Sequence, residues 1–205
     1  MFETPVGLYG ENVIINSSLG AYSTVNVGTG MASASVGRFC SLGEDCVIGP
    51  GRHPTGWLTT HAFPYDGNLS QAGLDEMAQH GFSFIEPIEF GHDVWVGSKS
   101  CVMGGVRVQH GAIIAFGAVV TKDVPPYAVV GGSPARVLKY RFSEKLIERL
   151  LAFRWWQFDL PAAMKTGLSV SWHDPERALD ELEAARLAYK LPQIGNRAIA
   201  VNSAA

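Results

Sequence analysis

Hydrophobic positions recur every six residues over long stretches of this chain. From Phe90 to Pro125 the sequence reads, in register, FGHDVW, VGSKSC, VMGGVR, VQHGAI, IAFGAV and VTKDVP. The first position of each hexad is large and apolar, and the fifth is small or β-branched. A helix repeats at about 3.6 residues and an ordinary strand at 2, and neither keeps one phase over six hexads. Such a period predicts a parallel β-helix, in which each hexad forms one short strand and one corner.

An earlier block carries the same period. Its expected inward-pointing residues, with one residue dropped after Met31, are Val13, Leu19, Val25, Met31, Val36, Leu42 and Ile48. With three hexads to a coil, the two blocks predict a prism of about four to five coils that rise about 4.8 Å each.

Residues 53–87 break the period between the two blocks. A long excursion from a compact repeat is uncommon and usually functional. Part of it, residues 70–80, is expected to form one or two helical turns. We therefore expect residues 1–136 to form the β-helix, with residues 53–87 projecting from it as a loop.

Helical signals follow the repeats. Ser143 has the character of an N-cap for a helix that ends near Trp155, and Asp174 followed by Pro175 opens a helix to about residue 189. Trp155 and Trp156 are expected to pack the first of these helices onto the base of the prism. Residues 137–205 are thus expected to be a C-terminal helical extension with a disordered tail over the last ten residues.

Composition narrows the range of partners. The chain has 205 residues, a formal net charge of −3 and only 17% charged residues, with no long run of either sign. These values argue against nucleic-acid binding, and no apolar run is long enough to span a membrane. The N-terminus shows no secretory signal, and Cys40, Cys46 and Cys101 are expected to be reduced thiols, so we expect a cytoplasmic protein.

Several segments resemble the hexapeptide-repeat xenobiotic acyltransferases. They are GRFCSLGEDCVIGPGRHPTGWLTTHAFPY, GHDVWVG, GAVVTKDVPPYAVVGGSPARVLKYRF and RWWQFDL, and the resemblance covers about residues 13–160. That group includes type B chloramphenicol acetyltransferases, streptogramin acetyltransferases and many sugar O-acetyltransferases. The resemblance implies a left-handed parallel β-helix, a homotrimer with active sites at subunit interfaces, and transfer of an acetyl group from acetyl-CoA.

Acetyl transfer to a hydroxyl needs a base that works near neutral pH. His53 is the expected base, because it stands at the start of the excursion, where the family has its catalytic histidine. Arg52 replaces the asparagine that commonly precedes that histidine in the family. His61, in the same loop, is the competing candidate for the base. It is also expected to contact the acceptor, together with Trp57 and Tyr65.

The resemblance also implies a binding site for coenzyme A. Lysine and arginine suit phosphate through their charge and, for arginine, the fork of the guanidinium. The residues expected to contact the phosphates and the adenosine are Thr121, Lys122, Arg136 and Lys139. Those expected along the pantetheine arm are Trp95, Ser98 and the backbone around Ala115 and Gly117.

Other uses of histidine are less well supported by the sequence. In the γ-class carbonic anhydrases, which share this fold, two zinc-binding histidines stand about five residues apart on one strand. Here Gly97 follows His92 and Ala115 follows His110 at that spacing, so we expect no metal and regard both histidines as outward face residues.

The function expected from the sequence is direct acetyl transfer to a hydroxyl of a sugar or glycoconjugate precursor. A hydroxyl of an antibiotic of the chloramphenicol or streptogramin type is the alternative acceptor. A non-catalytic β-helix scaffold is the alternative of another class.

Overall fold

The structure is a computed structural model that describes residues 1–64, 82–188, 191–195 and 198–199. Its strands are short because a turn follows every two to four residues. Before the excursion the strands are β1 (Phe2–Glu3), β2 (Gly7–Leu8), β3 (Val13–Ile15), β4 (Ser18–Leu19), β5 (Thr24–Val25), β6 (Gly30–Ala32), β7 (Ala34–Val36), β8 (Ser41–Leu42) and β9 (Val47–Ile48). After it they are β10 (Ile88–Phe90), β11 (Trp95–Val96), β12 (Cys101–Val102), β13 (Arg107–Val108), β14 (Ile113–Ile114), β15 (Val119–Val120) and β16 (Ala128–Gly131).

Successive strands visit three sheets in turn, so that each sheet forms one face of a prism. The first sheet contains β1, β4, β7, β10 and β13, the second β2, β5, β8, β11, β14 and β16, and the third β3, β6, β9, β12 and β15. Strands β1 to β15 therefore make five complete coils, and a bridge from Val108 to Val124 and then β16 begin another. The predicted fold class, a left-handed parallel β-helix with a protruding loop and a C-terminal helical part, is confirmed.

The core consists of inward side chains stacked in register from coil to coil. Leu19 pairs with Val36, Val36 with Phe90, and Phe90 with Val108, and all four are buried. The fifth positions Cys40 and Ser100 are buried at the corners, where the Ser100 hydroxyl donates to the Gly97 carbonyl at 2.7 Å. The hexad pattern therefore predicts both the apolar stack and the small corner residues, because each repeat occupies an equivalent place in the prism.

One inward position was assigned wrongly. Val13 is 63% exposed, whereas its neighbour Ile14 packs against the core and pairs with Met31. The reason lies in the corners that lead from the third sheet to the first. Before the excursion the backbone turns there through Asn16 (φ 47°) and through Ser33 (φ 51°), and each of these repeats has one residue fewer than a full hexad. A residue is therefore missing at two corners, at Asn16 as well as after Met31. The first of these shifts the phase, so that Ile14 points inwards and Val13 outwards.

The chain then folds back on the prism before the helices begin. β17 (Arg136–Tyr140) pairs antiparallel with β16, so it crosses the expected boundary at residue 136 and still belongs to the second sheet. The helices are α1 (Glu144–Phe153), α2 (Leu160–Lys165) and α3 (Pro175–Leu187), with a 3₁₀ turn at Trp155–Gln157. The predicted N-caps are confirmed: Ser143 accepts from the Leu146 N–H and Asp174 from the Arg177 N–H.

The helical part packs along the side of the prism, at the corner between the first and second sheets, and not on its base as expected. Phe39 lies between Tyr22 and Trp155, with ring centroids 4.9 Å from each. The Tyr22 hydroxyl donates to Asp159 at 2.6 Å, and Asp159 in turn caps α2, which the sequence did not predict. The contacts of Phe39 with Trp155 and of Tyr22 with Asp159 each join residues more than a hundred positions apart in the chain.

A last strand, β18 (Ala198–Ile199), pairs antiparallel with β1, so these two residues of the expected disordered tail are ordered. The rest of that tail and the helical turns expected at 70–80 lie outside the described residues. Among the helices of the described ranges, none is long and apolar enough to cross a membrane.

Candidate active site

The excursion leaves the prism after β9 and returns to it at β10. Its outgoing limb at residues 51–53 and its returning limb at residues 82–86 are joined where they meet the prism, and we call this junction the neck. The Arg52 backbone N–H donates to the Phe84 carbonyl at 3.0 Å, and its Nε donates to the Ser83 carbonyl at 3.0 Å. Its Nη2 lies 2.6 Å from Glu86 Oε1. His53 follows directly after this junction, so the fold places the expected base at the point where the loop meets the prism.

The imidazole of His53 has a defined orientation. Its Nδ1 lies 2.7 Å from the Thr60 carbonyl oxygen, and its ring meets the edge of Phe84 at a centroid distance of 5.7 Å and an angle of 85°. A carbonyl oxygen can only accept, so Nδ1 carries the hydrogen and the lone pair of the neutral ring is on Nε2. This side chain is exposed and is set up to take a proton at Nε2.

His61 has the opposite arrangement. The Phe63 backbone N–H donates to its Nδ1 at 3.1 Å, so the neutral ring carries its hydrogen on Nε2 and offers a donor there. Trp57 stands in the same loop, edge-on to Phe82 at 5.8 Å. Tyr65, the third expected acceptor contact, lies outside the described residues. The two loop histidines are thus chemically distinct, which spacing in the sequence could not show.

Part of the expected coenzyme A site lies on the same corner of the prism as His53. Thr121 and Lys122 follow β15 at the corner between the third and first sheets, two coils beyond the excursion. Lys122 and Arg136 line one small cavity of about 210 Å³, although they are fourteen positions apart in the sequence. Lys139 is exposed on β17, in register with Val129.

The other expected cofactor residues lie elsewhere. Trp95 projects outwards from the second sheet, is 55% exposed, and pairs in register with Ser41 and Ile113. Ser98 and the segment from Ala115 to Gly117 stack at the corner between the second and third sheets, where the Gly117 N–H donates to the Ser98 carbonyl at 3.0 Å. The third sheet separates this corner from that of His53, so a single chain does not bring His53 to Ser98, Ala115 and Gly117, whereas Arg136 pairs with Gly131 beside Ala115.

One exposed residue beside this second group was not among the candidates. Phe116 is 69% exposed and stands between Ala115 and Gly117, at the third position of its hexad. Third positions point outwards, and a large apolar side chain there has no core to fill. That signal was present in the sequence and would have added Phe116 to the pantetheine candidates.

Comparison with known proteins gives the family. No family model matches the chain. A chloramphenicol acetyltransferase of Klebsiella aerogenes is 38% identical over 130 residues, which cover 61% of this chain and 60% of that protein. A probable macrolide acetyltransferase of Lysinibacillus sphaericus is 34% identical over 131 residues, which cover 60% of this chain and 68% of that protein. The chain belongs to the hexapeptide-repeat xenobiotic acyltransferases.

The fold of this acyltransferase family member has a solved counterpart. The structure of a maltose O-acetyltransferase from Clostridium difficile 630 is 22% identical, with a TM-score of 0.53 over 68% of each chain. At this identity the likeness concerns the fold alone. The chain spans about 60% of the length of the chloramphenicol acetyltransferases that it matches.

His92 and His110 have a different environment. They lie at the corner between the first and second sheets, one coil apart, with their rings stacked at 5.1 Å and Trp156 stacked over both at 5.2 and 4.6 Å. The Arg38 N–H donates to Nδ1 of His92 at 2.8 Å, and the His92 N–H donates to Nδ1 of His110 at 2.9 Å. We call these two histidines and Trp156 the histidine ladder.

Burial keeps the ladder neutral. It lowers the pKa of His92 to about 4, with further lowering by the neighbouring His110 and Arg38, and it lowers the pKa of His110 as well. Trp156 is only 3% exposed, so the outward face expected for these histidines is covered by the helical part. Across the described ranges, no three His, Cys, Asp or Glu side chains come together as metal ligands would.

Proposed function

We propose that this chain is an acetyl-CoA-dependent O-acetyltransferase in which His53 is the general base. The observation that carries the proposal is the hydrogen bond from His53 Nδ1 to the Thr60 carbonyl, because it leaves the lone pair on Nε2. His61 cannot serve in the same way without giving up its bond from the Phe63 N–H. The loop therefore supports His53 over its competitor.

In the proposed reaction His53 Nε2 takes the proton of the acceptor hydroxyl as the oxygen attacks the thioester carbon. The same nitrogen then returns the proton to the thiolate of coenzyme A as the carbon–sulfur bond breaks. Acetyl-CoA supplies the activated acetyl group as co-substrate. No covalent intermediate with the protein is needed, since the hydroxyl attacks the thioester directly. His61 Nε2–H is a donor suited to the acceptor or to the developing oxyanion.

The residues present fit coenzyme A. Lys122 and Arg136 line one cavity together with Asp123, whose carboxylate accepts from the Arg107 N–H. Neither cation has an acidic partner among the ion pairs of the described residues, so both charges suit phosphate. Trp95 and Phe116 offer apolar surface, and the corner of Ser98, Ala115 and Gly117 offers backbone groups for the amides of the pantetheine arm. Thr121 and Lys139 complete the proposed set.

The proposed assembly is a homotrimer with three sites at its interfaces. It is supported by the separation of His53 from Ser98, Ala115 and Gly117 within one chain, because a site that uses both groups needs the His53 corner of one copy to face the Ser98 corner of another. It is also supported by exposed apolar side chains on and between the second and third sheets, namely Val13, Val27, Val47, Trp95 and Phe116. The outward strand residues of the first sheet are polar, for example Ser35 and Glu89, so the apolar faces are the ones that association would cover.

The acceptor belongs to one of two classes. The segment Thr60-His61-Ala62-Phe63 resembles the sugar O-acetyltransferase branch, which supports a hydroxyl of a sugar or glycoconjugate precursor in the cytoplasm. The names of the curated relatives, chloramphenicol acetyltransferase and probable macrolide acetyltransferase, favour an antibiotic hydroxyl as the second candidate.

The experiment is an assay of free thiol released from acetyl-CoA over a panel of sugars, nucleotide sugars, chloramphenicol and macrolides. We expect release with one acceptor class and a rise in melting temperature when coenzyme A is added. Dephospho-coenzyme A should give a smaller rise, because it lacks the 3′-phosphate. A protein that shows no thermal shift with coenzyme A and releases no thiol with any acceptor would be the non-catalytic scaffold.

A further inference from the structure

The neck of the excursion contains a second set of contacts that the proposed function does not use. Among the described residues, the side chain and backbone N–H of Arg52 make four polar or aromatic contacts, and these are all with the returning limb at residues 82–86. They are the bonds to the Ser83 and Phe84 carbonyls, the ion pair with Glu86, and a stacking contact with Phe82 at 5.3 Å from the ring centroid. We call Arg52, Glu86 and Phe84 the neck clamp.

The clamp reaches the base through Phe84. Its ring packs edge-on against His53 and occupies the space beside Gly51, where any Cβ would collide with it. The ring of His53 is thus held at Nδ1 by Thr60 and on its side by Phe84, whose own position depends on Arg52. Residue 51 must be glycine for this aromatic ring to lie so close to the backbone.

We propose that Arg52 and Glu86 are positioning residues that hold Phe84, and through it the imidazole of His53, in the orientation that catalysis needs. The inference rests on the proposed function of His53. The residue departs from the family's common one, because Arg52 stands where the resemblance places asparagine. The ion pair is partly exposed, with side-chain exposures of 44% and 34%, and such pairs add little to global stability. The effect of its loss is therefore expected in turnover and not in folding.

The test compares Arg52→Gln and Glu86→Gln with Arg107→Gln. Arg107 pairs with Glu89 at 3.5 Å on the exposed surface of the first sheet, so it is a matched ion pair outside the neck. We expect each neck variant to lose about 10- to 100-fold in kcat, since misplacement of a base by about an ångström costs that much. The KM for acetyl-CoA should stay constant, the melting temperature should stay within that of Arg107→Gln, and Arg52→Lys should show an intermediate loss.

Hydrogen exchange read by mass spectrometry gives a second measurement that does not depend on activity. The Arg52 amide, which donates to Phe84, should exchange faster in both neck variants and normally in Arg107→Gln. Faster exchange of the Arg52 amide with an unchanged kcat would overturn the positioning role. So would a loss of kcat with unchanged exchange, or a fall in melting temperature that accounts for the loss. If the wild-type protein releases no thiol at all, the proposed function fails, and the exchange data still report whether the clamp exists.

Discussion

The histidine ladder and the excursion loop use the same side chain for opposite purposes. In the ladder, Nδ1 of His92 and of His110 accepts a backbone N–H, and Trp156 covers both rings. In the loop, Nδ1 of His53 donates to a backbone carbonyl while the side chain stays exposed. The partner at Nδ1 decides whether Nε2 is a donor or an acceptor, and burial decides whether the ring can be protonated near neutral pH.

This difference shows why counting histidines does not find a base. Residue type is shared by all of these side chains, and the backbone partner at Nδ1 and the burial of each ring distinguish them. His61 makes the point within the loop itself, because its Nδ1 accepts as in the ladder although it lies eight residues from His53.

The largest expected effect comes from removing the histidine of the loop, compared with removing one of the ladder. His53→Ala should lose about 10²- to 10⁴-fold in kcat, because an alcohol is too weak an acid to attack a thioester unaided. His92→Asn should keep near wild-type kcat, and His61→Ala should mainly raise the KM for the acceptor. Steady-state kinetics on the three variants, with light scattering to show that the assembly is kept, makes the measurement. Normal turnover in His53→Ala would rule out His53 as the base, and normal turnover in His61→Ala as well would remove the base from the loop.

A second prediction sharpens the comparison by separating the base from the cofactor corner. Arg136→Glu reverses a charge beside Lys122, so the KM for acetyl-CoA should rise by about 10- to 100-fold. The value of kcat should change much less, because phosphate binding is largely equal in the ground and transition states. Titration with coenzyme A and with dephospho-coenzyme A checks the cause. Equal losses in kcat and in kcat/KM would place Arg136 in the chemical step.

The smallest effect concerns the ladder and its response to pH. The pKa of His92 is about 4 in the folded protein and near 6.5 in the unfolded chain, so between these values the unfolded state binds a proton that the folded state does not. The free energy of unfolding should therefore fall as the pH is lowered from about 6.5 towards 4, and not change through this group above pH 7.

The expected loss between pH 7.5 and 5 is about 1 kcal/mol from His92, after allowance for its partial exposure. Denaturant titrations of the wild type and of His92→Asn at both pH values measure it. The variant should show a smaller fall, because protonation at Nδ1 can no longer displace the Arg38 N–H. An identical fall in the free energy of unfolding for the two proteins would show that His92 does not contribute to the pH dependence in this range.

Most of the fold could be predicted from the sequence because the signals of the repeats and of the helix caps are local. Positions such as Phe90 and Val108 are equivalent by period, and the N-caps Ser143 and Asp174 act on residues three positions away. The assignment of Val13 as an inward residue was wrong because the corner at Asn16 is one residue short, which shifts the phase. A periodic pattern gives no sign of a residue that is missing at the end of a block of repeats.

The site was harder to predict for the opposite reason. The contact of Trp156 with His92 crosses more than sixty residues, and the clamp between Arg52 and Glu86 spans the whole excursion. The hydrogen bond from His53 to Thr60 depends on one carbonyl orientation inside an irregular loop. Nothing periodic encodes such pairs, so residue types could propose the candidates but not their protonation or their supports.

The two antiparallel strands have a consequence for solubility. A column of parallel coils offers unpaired N–H and C=O groups at each end, and another column could add there and continue into a fibre. Here β18 lies across the edge of β1, and β17 lies across the edge of β16, each running against the direction of the coils. A second β-helix that added at either of these edges in the direction of the repeat would meet an antiparallel strand and could not continue the parallel pairing. The two strands therefore oppose end-to-end growth, one at each end of the prism.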